Sequence, residues 1–259
     1  LMISLKVNGQ EYFSPKKAKD ALSFAAEQYG LMIQQLPSGE LPRTIDEEGE
    51  LVTTGSSSWT SGFYPGSCWY LYEYTGKNKF KREATSRSFF LEKEKFNKGT
   101  HDLGFMLYCS FGNGYRLTGE KNYKETLLEG ANSLISRYDP DVGSIQSWDW
   151  SDKWRYPVII DNMMNLELLF WASEVTNNEK YRNIAISHAD NTIEDHFRDD
   201  NSSYHVISYN PETGEVNKRN THQGFSDESA WARGQSWGLY GYVMTYRMTG
   251  KERYLEQAK

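Results

Sequence analysis

The 259-residue sequence predicts an all-α protein built from repeated helical hairpins. One pattern occurs four times: a Thr, then Gly or Asn, then an aromatic residue five positions after the Thr. The copies begin at Thr75, Thr118, Thr176 and Thr249. Gly and Asn tolerate the left-handed conformation in which many helices end, and the aromatic residue begins the apolar stripe of the next helix. Each copy therefore predicts a joint between two helices.

Apolar spacing around these joints predicts nine helices. They span residues 16–35, 59–75, 78–96, 101–118, 121–138, 158–176, 179–197 and 229–249, with a last helix that begins at 251. Short extended segments near 40–55 and 203–218 predict small hairpins, with a strong turn from Pro211 to Gly214. The repeated helical hairpins, taken together, favour a single (α/α)6 toroid domain over residues 1–259, incomplete at its C-terminus. An open helical solenoid is the alternative.

Composition narrows the choice of partners. The net charge is −6 and no stretch stands out as densely basic, which argues against nucleic-acid or membrane partners. No His/Cys cluster has zinc-ligand spacing, so no metal or other cofactor is expected. Cys68 and Cys109 lie in apolar helical segments and are expected to be free thiols. A cytoplasmic and a periplasmic location both stay open, as does the oligomeric state.

Polar loops interrupt the helices, and such loops often carry function. Aromatic side chains, 15% of the sequence, can stack on the apolar face of a sugar, and an Arg can bind a carboxylate through two hydrogen bonds. The candidates are Trp59, His101, Asp102, Trp148, Asp161, His205, Gln223, Arg233 and Trp237.

Each candidate also has a structural interpretation. Asp102 follows Thr100, a good N-cap, and can be a carboxylate on the helix dipole. Asp161 can be a buried cap, Arg233 a surface residue beside core tryptophans, and His205 a structural histidine. The occurrence of all these residues on one helical scaffold favours a functional site.

Four segments resemble, in order, motifs of the unsaturated glucuronyl hydrolases of glycoside hydrolase family 88. They are Thr100-His101-Asp102-Leu103-Gly104-Phe105, Ile159-Ile160-Asp161-Asn162-Met163-Met164-Asn165, Thr221-His222-Gln223-Gly224 and Trp231-Ala232-Arg233-Gly234-Gln235-Ser236-Trp237-Gly238. The resemblance runs from about Trp59 to Trp237 and implies a six-hairpin barrel with a pocket at one end. The family's C-terminal loop, which helps to bind carboxylate or sulfated substrates, has no counterpart here.

The resemblance also implies roles for the candidates. Asp161 corresponds to the general acid and base, and Asp102 to the second active-site aspartate. The positions that look like substrate contacts are His101, His205, Gln223, Arg233 and Trp237, and Trp59 and Trp148 look like stacking residues. The implied partner is an unsaturated oligosaccharide.

The implied activity is that of a bacterial hydrolase releasing a 4,5-unsaturated glucuronic acid from the non-reducing end of lyase-generated glycosaminoglycan-type oligosaccharides. One carboxyl group that protonates C4 and then activates water at C5 suffices for this reaction. Asp161 must then carry a proton, a form that apolar neighbours and the charge of Asp102 favour. The alternatives are an unsaturated galacturonyl-rhamnose hydrolase of pectin breakdown, a non-catalytic sugar-binding toroid, and a sugar epimerase, which requires paired histidine bases.

Overall fold

The computed structural model describes residues 14–259, so the first thirteen residues of the predicted domain lie outside the described residues. Helices dominate this part of the chain, as predicted. The α-helices are α1 Pro15–Gln35, α2 Phe63–Thr75, α3 Asn78–Leu91, α4 Asn113–Thr118, α5 Lys121–Ile135, α6 Leu166–Thr176, α7 Glu179–His196, α8 Ala232–Thr249 and α9 Glu252–Ala258. A 3-10 helix, Glu92–Phe96, extends α3, and a π-helix, Gly104–Gly112, leads directly into α4.

The four repeated joints are confirmed as helix ends. The residue after each Thr is left-handed: Gly76 has φ 66°, Gly119 71°, Asn177 54° and Gly250 67°. Each Thr hydroxyl also donates to the carbonyl four residues earlier and accepts the N–H two residues later. The Thr thus ties the last helical turn to the exit of the chain, which is a physical reason for its place in the repeat.

One large apolar core runs through the helices. Trp69 of α2, Phe80 of α3, Leu127 of α5 and Tyr242 of α8 are all completely buried in it or beside it. Both cysteines are free, as expected. Within residues 14–259, no helix has the length and apolar character needed to cross a bilayer.

Seven short strands complete the fold of the described residues. They are β1 Leu41–Ile45, β2 Leu51–Thr54, β3 Tyr138–Asp139, β4 Ser144–Ile145, β5 Tyr156–Ile159, β6 Val206–Tyr209 and β7 Val216–Asn220. The pairs β1–β2 and β3–β4 are antiparallel hairpins, and β5–β6–β7 is an antiparallel sheet in that order. The hairpins predicted near 40–55 and 203–218 are confirmed, with Gly214 at φ 71° in the turn between β6 and β7.

The prediction of a helix over 158–176 was wrong at its start. Residues 156–159 form β5, the chain then makes a 3-10 helix, Ile160–Asn165, and α6 begins only at Leu166. Pro157 has no N–H for a helix and β-branched Val158 and Ile159 favour a pleated strand. Strand β6 supplies the partner, since Ile159 pairs with Val206.

Other helix boundaries also differ from the prediction. Residues 59–62 form turns, so α2 begins at Phe63 rather than at 59, and α8 begins at Ala232 rather than at 229. Helix α5 ends at Ile135 rather than at 138, because Asp139 precedes Pro140 and the residue before a proline disfavours helical geometry. Tyr138 instead pairs with Ile145.

Candidate active site

Seven of the nine candidate residues line one pocket of about 310 Å³. They are Trp59, His101, Asp102, Trp148, Asp161, Gln223 and Arg233. Four larger surface hollows of the described residues, of about 590, 790, 320 and 410 Å³, are lined by neither aspartate. The convergence of carboxylates, a guanidinium and indole rings therefore marks the smaller pocket as the candidate active site.

Asp102 lies on the helical side of the pocket, just before the π-helix. Its Oδ2 accepts from the Thr100 hydroxyl at 2.9 Å, and its Oδ1 lies 3.1 Å from His101 Nε2. Burial raises the pKa of Asp102, but His101, the Thr100 hydroxyl and the charge of Arg137 outweigh burial and hold the pKa below its usual value. This side of the pocket therefore holds a carboxylate in its charged form.

Asp161 lies on the opposite side, where β5 passes into the 3-10 helix. The residue is only 8% exposed, and its Oδ2 is buried without a hydrogen-bond partner among the described residues. The nearest basic atom is His205 Nε2, at 3.6 Å. A buried carboxyl oxygen without a partner is costly in a purely structural group, because nothing in the protein replaces its lost hydration.

The sheet fixes the orientation of His205 behind Asp161. Pairing of β5 with β6 is extended by a bond from the Ile160 N–H to the His205 carbonyl at 3.1 Å. His205 Nδ1 accepts two backbone N–H bonds after β7, from His222 at 3.0 Å and Gln223 at 3.1 Å. A ring nitrogen that accepts cannot carry the hydrogen, so the neutral ring carries it on Nε2, facing Asp161.

A close backbone contact joins the two sides of the pocket. The Phe105 N–H donates to Asn165 Oδ1 at 3.0 Å, which links the start of the π-helix to the 3-10 helix of Asp161. Gly104 makes this approach feasible, because a Cβ at this position would lie 2.5 Å from Asn165 Cα. The spacing of Asp102 and Asp161 thus depends on a glycine and a buried amide.

Arg233 lies at the pocket rim near the start of α8. Its guanidinium carbon lies 5.4 Å from the Trp59 ring centre and 4.6 Å from that of Trp231. Its Nη2 donates to Gln223 Oε1, the one hydrogen bond of this side chain among the described residues. The guanidinium has five N–H donors, so most of them are available to an anionic ligand.

Trp150 and His222 also line the pocket, although neither was among the nine candidates chosen from the sequence. The Trp150 ring stacks on Trp148 with 5.2 Å between centroids and an angle of 24°, and lies 5.6 Å from the His222 ring. Trp148 is 8% exposed whereas Trp150 is 63% exposed, so Trp150 forms the outer surface of the stack. The available signal for Trp150 was the clustering of three tryptophans between residues 148 and 154.

Two candidates lie outside the pocket lining. The His205 side chain is fully buried and contacts Asp161 and Trp148 from behind. Trp237 packs on Phe105, with 5.4 Å between ring centroids, and so supports the helical side. No group of three or more His, Cys, Asp or Glu side chains within residues 14–259 is arranged to hold a metal ion.

The fold is that of an α/α toroid built from helical hairpins. The chain belongs to glycoside hydrolase family 88, because the Glycosyl Hydrolase Family 88 model matches residues 37–258. Among curated relatives, it is 46% identical over 225 residues to an unsaturated glucuronyl hydrolase of Formosa agariphila, covering 86% of this chain and 56% of that protein. It is 41% identical over 210 residues to an unsaturated chondroitin disaccharide hydrolase of Streptococcus pneumoniae, covering 80% and 52%.

Solved structures agree with this assignment. An unsaturated glucuronyl hydrolase specific for heparin superposes with a TM-score of 0.90 at 46% identity, over 93% of this chain and 64% of that one. A Streptococcus agalactiae variant complexed with dGlcA-GalNAc6S superposes with a TM-score of 0.74 at 31% identity, over 92% and 59%. The chain thus spans a little more than half the length of its curated relatives.

Proposed function

We propose that this protein releases a 4,5-unsaturated glucuronic acid from the non-reducing end of lyase-generated glycosaminoglycan-type oligosaccharides. The observation that supports this proposal most is that Asp161, a buried carboxyl group with one oxygen unpartnered within residues 14–259, lies in the same pocket as a charged Asp102. The names of the relatives, which act on unsaturated glucuronyl or chondroitin substrates, support the substrate class. The chain from residue 1 to 259 is taken to act as one catalytic domain.

In this proposal Asp161 supplies the proton. Its O–H bond breaks and the proton is transferred to C4 of the substrate, where the double-bond electrons form the new C–H bond. The O–H electrons remain on the Asp161 carboxylate while positive charge develops on C5 and the ring oxygen. Water then adds at C5 and gives a proton back to Asp161, which restores the acid. The resulting hemiketal opens by cleavage of the bond between C5 and the ring oxygen, and the hemiacetal left at C1 releases the remaining oligosaccharide as an alcohol.

The surrounding groups orient the substrate and limit the choice of acid. Asp102 remains ionised and accepts hydrogen bonds from sugar hydroxyls, so it is not the proton donor. Arg233 binds the uronate carboxylate, with its plane held by the Trp59 and Trp231 rings. His205 acts through Asp161, because its Nε2 hydrogen points at the carboxylate that forms after proton transfer.

The test is loss of the ultraviolet absorbance of the conjugated double bond. Unsaturated chondroitin and heparin disaccharides and the unsaturated galacturonyl-rhamnose disaccharide of pectin are offered separately, and we expect turnover of the glucuronyl substrates. Asp161→Asn should keep the fold and substrate binding but lower kcat by about 10³. Retained turnover in Asp161→Asn contradicts the assignment of Asp161 as the acid. Turnover of the pectin substrate alone shows that the protein is a galacturonyl-rhamnose hydrolase. Binding without turnover in the unaltered protein shows that it is a non-catalytic sugar-binding toroid.

A further inference from the structure

A basic segment lies outside the candidate active site. Between residues 77 and 98 there are eight lysines and arginines against three glutamates, whereas the whole chain has 29 basic and 35 acidic residues. The expectation that no stretch is densely basic was therefore wrong for α3 and the 3-10 helix that follows it. A positive segment on a negative protein creates a local field that attracts anions.

The outer surface of this segment is grooved. One hollow of about 590 Å³ is lined by residues that include Phe89, Phe96 and Lys93, and a second of about 320 Å³ is lined by residues that include Lys81 and Arg82. The two hollows share Ser86 in their linings, so they adjoin along α3. We call this combined surface the α3 groove.

Three cations of the α3 groove form no ion pair within residues 14–259. Within the described part of the chain, no carboxylate forms an ion pair with Lys81, Arg82 or Lys93, and the one acidic residue lining the groove, Glu92, pairs with Lys95 at 2.8 Å. Buried Arg87 donates instead to backbone carbonyls and to Glu83. The three unpaired cations therefore make the groove a receptor for negative charge.

Aromatic rings of the α3 groove are open to solvent. Phe89 is 72% exposed and Phe96 is 61% exposed, although both lie among charged residues on an outer helix. Phe90 makes a cation–π contact with one of these cations, with Lys93 Nζ 5.6 Å from its ring centre. Exposed aromatic faces beside unpaired cations suit a sugar chain that carries carboxylates or sulfates, because such a chain combines apolar C–H faces with anionic groups.

We propose that the α3 groove is a second binding site for an anionic glycan chain, separate from the catalytic pocket. The glycan class rests on the proposed function, whereas the groove itself rests on charge and exposure. Phe96 in the groove and Gly99 in the pocket lining are three residues apart, so their Cα atoms are within about 11 Å. The protein as a whole has a net charge of −6 and repels acidic glycans, so the groove would hold them close to the pocket.

The test measures binding of a saturated chondroitin sulfate or heparin oligosaccharide, which has no double bond to hydrolyse. The triple variant Lys81→Glu, Arg82→Glu, Lys93→Glu should bind about tenfold more weakly and with less dependence on salt. The matched control replaces Lys180, Lys218 and Lys251 by Glu. These lysines are exposed and lie outside the groove, so the control variant should bind the oligosaccharide like the unaltered protein. Phe89→Ala with Phe96→Ala should also weaken binding, whereas Phe24→Ala, an equally exposed phenylalanine on α1, should not.

Turnover of an unsaturated disaccharide separates this proposal from the proposed function. The triple variant should keep the disaccharide kcat, because none of its residues lines the pocket. Equal glycan affinity in the triple variant and its control contradicts the proposed binding site. A change in the assembly size or melting temperature of the triple variant also contradicts it, because such a change shows that other protein covers this face. If the unaltered protein binds the glycan at the groove but does not turn over the disaccharide, the second binding site is supported and the proposed hydrolase activity is contradicted.

Discussion

The two sides of the pocket treat an aspartate in opposite ways. On the helical side, Asp102 has a hydroxyl donor and a histidine, and its pKa is held below the usual value. On the sheet side, Asp161 is almost fully buried and has an oxygen with no hydrogen-bond partner among the residues that the structure describes. The same residue type is thus stabilised as an anion on one side, whereas on the other it is buried with few polar contacts among the described residues.

This difference arises from local backbone structure. The turn before the π-helix offers the Thr100 hydroxyl and the His101 ring to Asp102. The end of β5 uses its backbone groups in the sheet and, among the described residues, offers no donor to Asp161. Carboxyl pairs with distinct environments are a general means of dividing acid and base roles. Substitutions on each side should therefore have different kinetic effects.

The largest contrast is expected for Asp102→Asn against Asp161→Asn. Asp102→Asn should lower kcat/KM about a hundredfold and raise KM, because a hydrogen bond from a sugar hydroxyl to a charged group contributes roughly 1.5–3 kcal/mol. Asp161→Asn should lower kcat more and change KM little. Steady-state kinetics on one unsaturated disaccharide measures both, and equal losses with unchanged KM in the two variants contradict the division of roles.

The second-largest effect is expected from a substitution that pushes the two sides of the pocket apart. Gly104→Ala places a Cβ against Asn165, which should destabilise the fold by about 1–3 kcal/mol and lower kcat at least tenfold through misplacement of the aspartates. Gly55→Ala is the control, because a Cβ there meets no atom within 4 Å. Urea denaturation and kinetics on the folded fraction measure the two effects, and a normal kcat in Gly104→Ala shows that this contact does not set the spacing.

The helical side was predictable from sequence to a greater extent than the sheet side. The Thr-Gly/Asn-aromatic joints encode helix ends locally, so hairpins could be placed from residue types alone. Strand β5 was missed because the apolar character of Val158 and Ile159 suits a buried helix as well as a strand. Their β-branching and Pro157 favour a strand, but the partner strand β6 lies about fifty residues away in the sequence. The burial of His205 behind Asp161 has the same origin, since it depends on β6 and β7.

A smaller effect is expected at the outer edge of the sheet side. Trp150→Ala should raise KM for a disaccharide about fivefold and leave kcat unchanged, because it removes an exposed stacking face but no group that moves a proton. Phe225→Ala is the control, since Phe225 is 99% exposed and is absent from the pocket lining. A fall in kcat with constant KM shows instead that Trp150 supports Asp161 through Trp148.

The smallest effect should appear in the pH dependence of stability. The folded-state pKa of Asp102 is depressed, so its ionised form stabilises the fold above the unfolded-state pKa of about 3.9, and this contribution is lost as the pH falls through the folded value. The difference in unfolding free energy between the unaltered protein and Asp102→Asn should therefore shrink as the pH falls from about 6 to about 3. Urea titrations at several pH values measure it, and a constant difference means that His101 and Thr100 do not favour the charged form.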